Sequence, residues 1–194
     1  LEGLYVNDDA LSAIVGNDNK GLFEAKPIGD ILDFLGELYQ YGQDRDDETI
    51  TTNDLYKKTK KLIEQNKQFL LVDLVERLEL SNATRYILYY LIWKSICGES
   101  EVDLASTIEA IIDNPVRRVR FIQSFHEGSN PLQKLNLVDI QKGSFFNDSD
   151  ILLTSKSLQL MKDAGLTVFN EKAAKRKGVI EPEQISKCKL VYNP

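Results

Sequence analysis

Apolar positions recur at helical spacing through much of the chain. Ile28, Ile31, Leu32, Leu35, Leu38 and Tyr39 fall on one face, with Asp30, Asp33 and Glu37 opposite, so the spacing predicts a helix that Pro27 opens and Gly42 ends. Gln43 to Glu48 reads as a solvated acidic loop. Asn53 is a candidate N-cap for a second helix, whose face is Leu55, Thr59, Leu62, Ile63 and Asn66, with Lys57, Lys58, Lys60 and Lys61 around it. A third helix follows, with Phe69, Leu70, Leu74, Val75 and Leu78 inward. The next segment, capped by Ser81 or Asn82 and ended by Gly98, is apolar nearly all round. Such a helix must be covered on more than one side, as a central strut. Its tyrosines, Tyr86, Tyr89 and Tyr90, each call for a hydroxyl partner or a surface.

Beyond Gly98 the period changes. Val102 to Leu104 reads as a short strand, and Ala105 to Ile112 as a helix with Ile108, Ile111 and Ile112 inward. Asp113 and Asn114 make a turn, and Pro115 opens a basic helix at its favoured first position. Pro131 to Leu135 is a short turn or helical continuation. Leu137 to Gln141 and Asp150 to Leu153 read as two strands joined by a loop over 142–148, and Thr154 caps a last helix over 155–164. Helix, strand, helix, basic helix, strand, loop, strand, helix is the order of a winged helix-turn-helix. The predicted fold class is therefore mainly α with a small β wing, a winged helix-turn-helix preceded by an N-terminal helical region. The expected division is 1–67 for the helical region, 68–165 for the winged unit and 166–194 for a linker containing the basic run Glu171 to Lys177.

A hydrophobic content of 42% supplies a core for one or two small domains. The longest apolar run, Tyr86 to Trp93, is too short to span a bilayer, and no signal peptide is recognisable, so a cytoplasmic protein without a membrane partner is expected. Cys97 and Cys188 read as reduced thiols without zinc-ligand spacing. The net charge of −6 is uneven: residues 1–80 hold 9 Lys+Arg against 17 Asp+Glu, whereas residues 81–194 hold 15 against 13. That balance argues against a general nucleic-acid coat and leaves room for a small basic patch.

The basic helix carries that patch. With Val116 as the origin, Arg120 falls at about 40° and Arg117 at about 100°, on the polar side, whereas Arg118 falls at about 200°, between Ile122 and Phe125. Arg118 is expected to pair with a carboxylate as a structural group. Arg117, Arg120 and Lys142 of the wing are candidate contacts for a partner or for DNA. Glu127 dilutes this face, and specific DNA binding usually neutralises several phosphates, so protein docking is the better fit. Phe145 and Phe146 at the wing tip are further candidate contacts: both fold back under the wing, or one stays exposed for a partner. His126, the only histidine, falls near Val119 and Ile122 and reads as a packed, hydrogen-bonded residue, since acid–base work needs a poised partner that the sequence does not reveal. The pairs Asp8-Asp9 and Asp46-Asp47 read as solvated carboxylates in loops. No catalytic, metal or cofactor residue is assigned.

Several phrases carry a resemblance: Leu74 to Ser81 with the apolar helix after it, Glu101 to Leu104, Asn130 to Leu135, Phe145 to Asp148, Leu153 to Leu158, and Lys189 to Pro194. Together they resemble the N-terminal region of bacterial AAA-type ATPases that carry a winged-helix domain ahead of the motor. The likeness covers roughly 68–194, and residues 1–67 have no such counterpart. It implies an ATP-hydrolysing parent whose motor starts after Pro194, in keeping with a chain that opens without methionine and reads as a fragment. The chain itself has no Gly-x-x-x-x-Gly-Lys-Ser/Thr loop, so ATP and magnesium are expected only in that motor. The expected partner is a protein substrate, an adaptor or the motor itself, with assembly into an oligomer running through the motor. The alternative is a DNA-binding winged-helix regulator.

Overall fold

The computed structural model describes residues 28–143 and 148–166. It is mainly helical, with a three-stranded antiparallel sheet. Helix α1 spans Ile31–Asp46, α2 Thr52–Gln65, α3 Leu70–Glu76 and α4 Asn82–Ile96. Strand β1 (Val102–Asp103), α5 (Leu104–Glu109), α6 (Pro115–His126) and α7 (Pro131–Lys134) follow, then β2 (Val138–Lys142), β3 (Ser149–Leu153) and α8 (Ser155–Asp163).

The helix ends follow local chemistry, with three corrections. Pro27 lies outside the described residues, and α1 starts at Ile31 under an Asp30 cap, whose carboxylate accepts from the N–H groups of Leu32 and Asp33. Thr51, not Asn53, caps α2: it forms a capping box with Asp54, satisfying two otherwise orphaned N–H groups. Ser81 and Thr154 cap α4 and α8 as their spacing predicts, and Asn114 of the predicted turn caps α6. Gly98, at φ 94°, closes α4 in the left-handed region that glycine enters without steric cost.

Gly42 does not end α1. The helix continues to Asp46, and four of the six residues of the predicted acidic loop are helical. Gly42 is buried because the Tyr86 hydroxyl occupies the space that a Cβ would need. Its smallness serves a close approach of α4, not a turn. In α3 the inward set also shifts: Leu71, Val72 and Val75 are buried, whereas Leu70 is exposed and Leu74 and Leu78 are half-buried. Phe34 is fully buried in α1, and Leu32 is exposed. The Phe34 ring meets Tyr89 edge-on, with centroids 5.4 Å apart.

Helix α4 is the strut its sequence predicts. Tyr86, Ile87, Leu88, Tyr89, Leu91 and Ile92 are all buried, and the helix packs against α1, α2, α7 and β3. The Tyr86 hydroxyl donates to the Leu38 carbonyl at 3.0 Å. The Tyr89 hydroxyl differs from expectation: it is buried and has no hydrogen-bond partner among the described residues. Tyr90 is half-buried and stacks on Tyr39.

One apolar cluster joins residues on both sides of position 67. Phe34, Leu55 and Ile63 share it with Ile87, Ile108 and Ile151. The sheet order is β1-β3-β2, with Val102 opposite Ile151 and Ile140 opposite Ile151 from the other side. Leu166 closes the core at the last described position. Among the described residues no helix is long and apolar enough to cross a membrane.

Candidate docking surface

The turn between α5 and α6 is held from three directions. Arg45, buried near the end of α1, forms an ion pair with Asp113, and its Nε donates to the Thr52 hydroxyl at 3.1 Å. Thr52 and Asp113 also exchange bonds: the Thr52 N–H donates to the Asp113 carboxylate, and the Asp113 N–H donates to the Thr52 hydroxyl, each at 3.1 Å. The Tyr56 hydroxyl donates to the Ile111 carbonyl at 3.2 Å. Burial, with a smaller effect of Asp113, pushes this phenol up to about 12, so it remains a donor at neutral pH. For Asp113 the partial burial that would raise its pKa is outweighed by the bonds from Thr52 and the charge of Arg45, and its carboxyl is held below the usual range.

Helix α6 leaves this anchored turn. The Asn114 side chain accepts from the Arg117 N–H at 3.0 Å, and Pro115 takes the first helical position, where its missing N–H is not needed. Ile122 and Phe125 are buried and hold the helix against the core, with Phe121 packed edge-on against Phe125. Arg118 turns back as expected. Its Nε donates to the Ile112 carbonyl at 2.6 Å and its Nη1 pairs with Glu109 at 2.5 Å. The Glu109 side chain is 66% exposed, so this is a surface-side pair, not the buried one that a position between Ile122 and Phe125 suggests.

Arg117 and Arg120 are both exposed on α6. The described part of the chain holds six arginines; Arg45, Arg77, Arg85 and Arg118 are ion-paired with Asp113, Asp73, Glu76 and Glu109. Arg117 and Arg120 are the two without a carboxylate partner among the described residues. Lys142 ends β2, and its side chain, like Phe145 and Phe146 entirely, lies outside what is described, so those three are not placed beside the arginines.

The surface also holds two residues that the arginine pattern did not single out. Val116 is 59% exposed and Val119 50% exposed. Val119 is therefore outward, which corrects the grouping of Val119 and His126 on an apolar inner face; His126 itself is half-buried. The exposed arc of α6 runs from Val119 through Gln123, Val116, Glu127 and Arg120 to Arg117. A signal was present in the sequence, since Val116 lies at the centre of the polar arc that contains Arg120 and Glu127.

Chemically, this face offers two cations without a carboxylate partner and an apolar ridge without cover, among the described residues. Among the described residues no group of three His, Cys, Asp or Glu side chains is placed to hold a metal ion. Comparison of the chain with protein-family models, with curated proteins and with solved structures returned no match.

Proposed function

We propose that the chain is a non-catalytic docking module, a winged helix-turn-helix with an N-terminal helical extension, that serves ahead of the motor of an AAA-type ATPase in the cytoplasm. The observation that carries the docking role is the face of α6, where the two arginines without carboxylate partners among the described residues stand beside two exposed valines. Charged and apolar groups left uncovered together are what a protein partner covers. The winged reading is supported by element order, α4-β1-α5-α6-α7-β2-β3-α8, in which α7 is a single turn, and by β3 lying between β1 and β2. That arrangement fits α6 as the second helix of a helix-turn-helix and the β2–β3 hairpin as the wing. The motor assignment rests on the phrases between Leu74 and Pro194, with ATP and magnesium handled by the motor alone.

The test is to read the gene beyond Pro194, express its full product and measure ATP turnover. A P-loop followed by magnesium-dependent hydrolysis is expected. A gene that stops at Pro194, or continues without a P-loop, refutes the motor assignment. The second reading, a DNA-binding regulator, is favoured by the outward placement of Arg117 and Arg120 in the first half of α6. Duplex titration at low salt separates the two, because phosphate-driven binding falls steeply as salt rises.

A further inference from the structure

We infer that the occupant of the α6 face is an acidic amphipathic helix of a partner protein, apolar along one ridge and carboxylate-bearing along one flank. The inference rests on the docking reading above and specifies its ligand.

Val119, Gln123 and Val116 lie within a narrow arc, at about 300°, 340° and 0° around α6, so the two valines form a ridge along the helix axis. A ridge of this kind packs into the side-chain groove of a second helix. Arg120 and Arg117 lie on one side of the ridge only, at about 40° and 100°. A partner that seats an apolar ridge on Val116 and Val119 therefore meets both guanidinium groups on the same flank. Carboxylates spaced three or four residues apart there would pair with them, and the one-sidedness fixes the direction of the bound helix.

The charge around α6 decides between such a helix and a nucleic acid. Glu109 and Asp113 have side chains 66% and 54% exposed, and Glu127 is exposed as well. They nearly balance Arg45, Arg117, Arg118 and Arg120, so the region presents little net field to a polyanion. A short acidic helix senses the local pattern instead, two guanidiniums without a carboxylate partner among the described residues, set against an apolar ridge. Duplex phosphates would also leave Val116 and Val119 without apolar cover, whereas a facing helix buries them.

The experiment displays a library of helical peptides about four turns long and selects on the 194-residue chain. Enriched peptides are then titrated by fluorescence anisotropy, with a mixed duplex as competitor. The expected selection has Asp or Glu along one flank of a Leu, Ile or Phe ridge. Val119→Asp should weaken binding more than ten-fold. The double variant R117E/R120E should lose it and regain affinity for the same peptide with its carboxylates replaced by lysines. An empty selection, peptides indifferent to both variants, or duplex binding that survives Val119→Asp would overturn the inference. None of these outcomes touches the search for a P-loop beyond Pro194, and a gene without one would leave the peptide preference standing.

Discussion

Gly42→Ala should destabilise the protein, although the same change in an open helix interior stabilises. In a solvated helix, alanine in place of glycine gains about 1 kcal/mol from propensity. Here the new methyl would overlap the Tyr86 hydroxyl oxygen and stand 3.1 Å from the ring carbon bearing it. The ring cannot yield freely, because Tyr86 is 1% exposed and its hydroxyl is bonded to the Leu38 carbonyl. Relief of the overlap requires a shift of α1 against α4, and overpacking of this kind costs about 1–3 kcal/mol. If the hydroxyl is displaced while still buried, its lost bond adds about 1–2 kcal/mol. The propensity gain offsets only part of this, leaving a net loss of about 2 kcal/mol, or about 4–8 °C in Tm for a domain of this size. Urea and thermal unfolding of both proteins would measure it. The double variant G42A/Y86F sharpens the test: removing the hydroxyl removes the closest overlap, so Gly42→Ala should cost less when Tyr86→Phe is already present. A Gly42→Ala protein as stable as wild type, or equal costs with and without the hydroxyl, would refute the close approach of α1 and α4.

The two buried tyrosines of α4 should respond differently to loss of the hydroxyl. Tyr86→Phe removes the bond to Leu38 and should cost about 1 kcal/mol, whereas Tyr89→Phe removes a buried hydroxyl without a described partner and should be neutral or stabilising; chemical denaturation measures both. Arg118→Ala should cost about 1 kcal/mol, less than a buried pair would, since Glu109 can hydrate, while Arg117→Ala and Arg120→Ala should stay within about 0.5 kcal/mol by the same assay. Asp113→Asn should lower stability at neutral pH. The folded pKa of Asp113 is depressed, so its contribution is fully present above its unfolded value and is lost as pH falls through the folded one. The gap between wild type and Asp113→Asn should therefore close on acidification, and a gap that persists below both values would contradict the ion pair.

Elements whose signals are local were legible in the sequence. Ser81, Asn114 with Pro115, and Thr154 each mark a helix start with the side chain that satisfies a free N–H, and the structure uses all three. The Thr51–Asp54 box was equally local but gave way to Asn53 as the apparent cap. Errors of another kind came from distant residues. Gly42 has the composition of a helix end, and only Tyr86, arriving from α4, shows why it lies inside one. Arg45 sits in a stretch of acidic residues that looks solvated, and only its pairing with Asp113 explains its burial. On the candidate surface, helical phase separated Arg118 from Arg117 and Arg120, but it could not show that Glu109 is exposed or that Val119 turns outward. Those facts depend on how α6 rolls against its neighbours, which periodicity alone does not fix.

The joint at Thr52 and Asp113 has a mechanical consequence. The Thr52 bonds and the Arg45 ion pair grip the residue immediately before the cap of α6. Tension applied to that helix would run through Asp113 into the start of α2 and the end of α1, beside the path along the chain into α5 and the sheet it packs on. Helices α1 and α2 would then act as an abutment against which α6 is pulled, through a joint made of polar contacts and not of apolar packing.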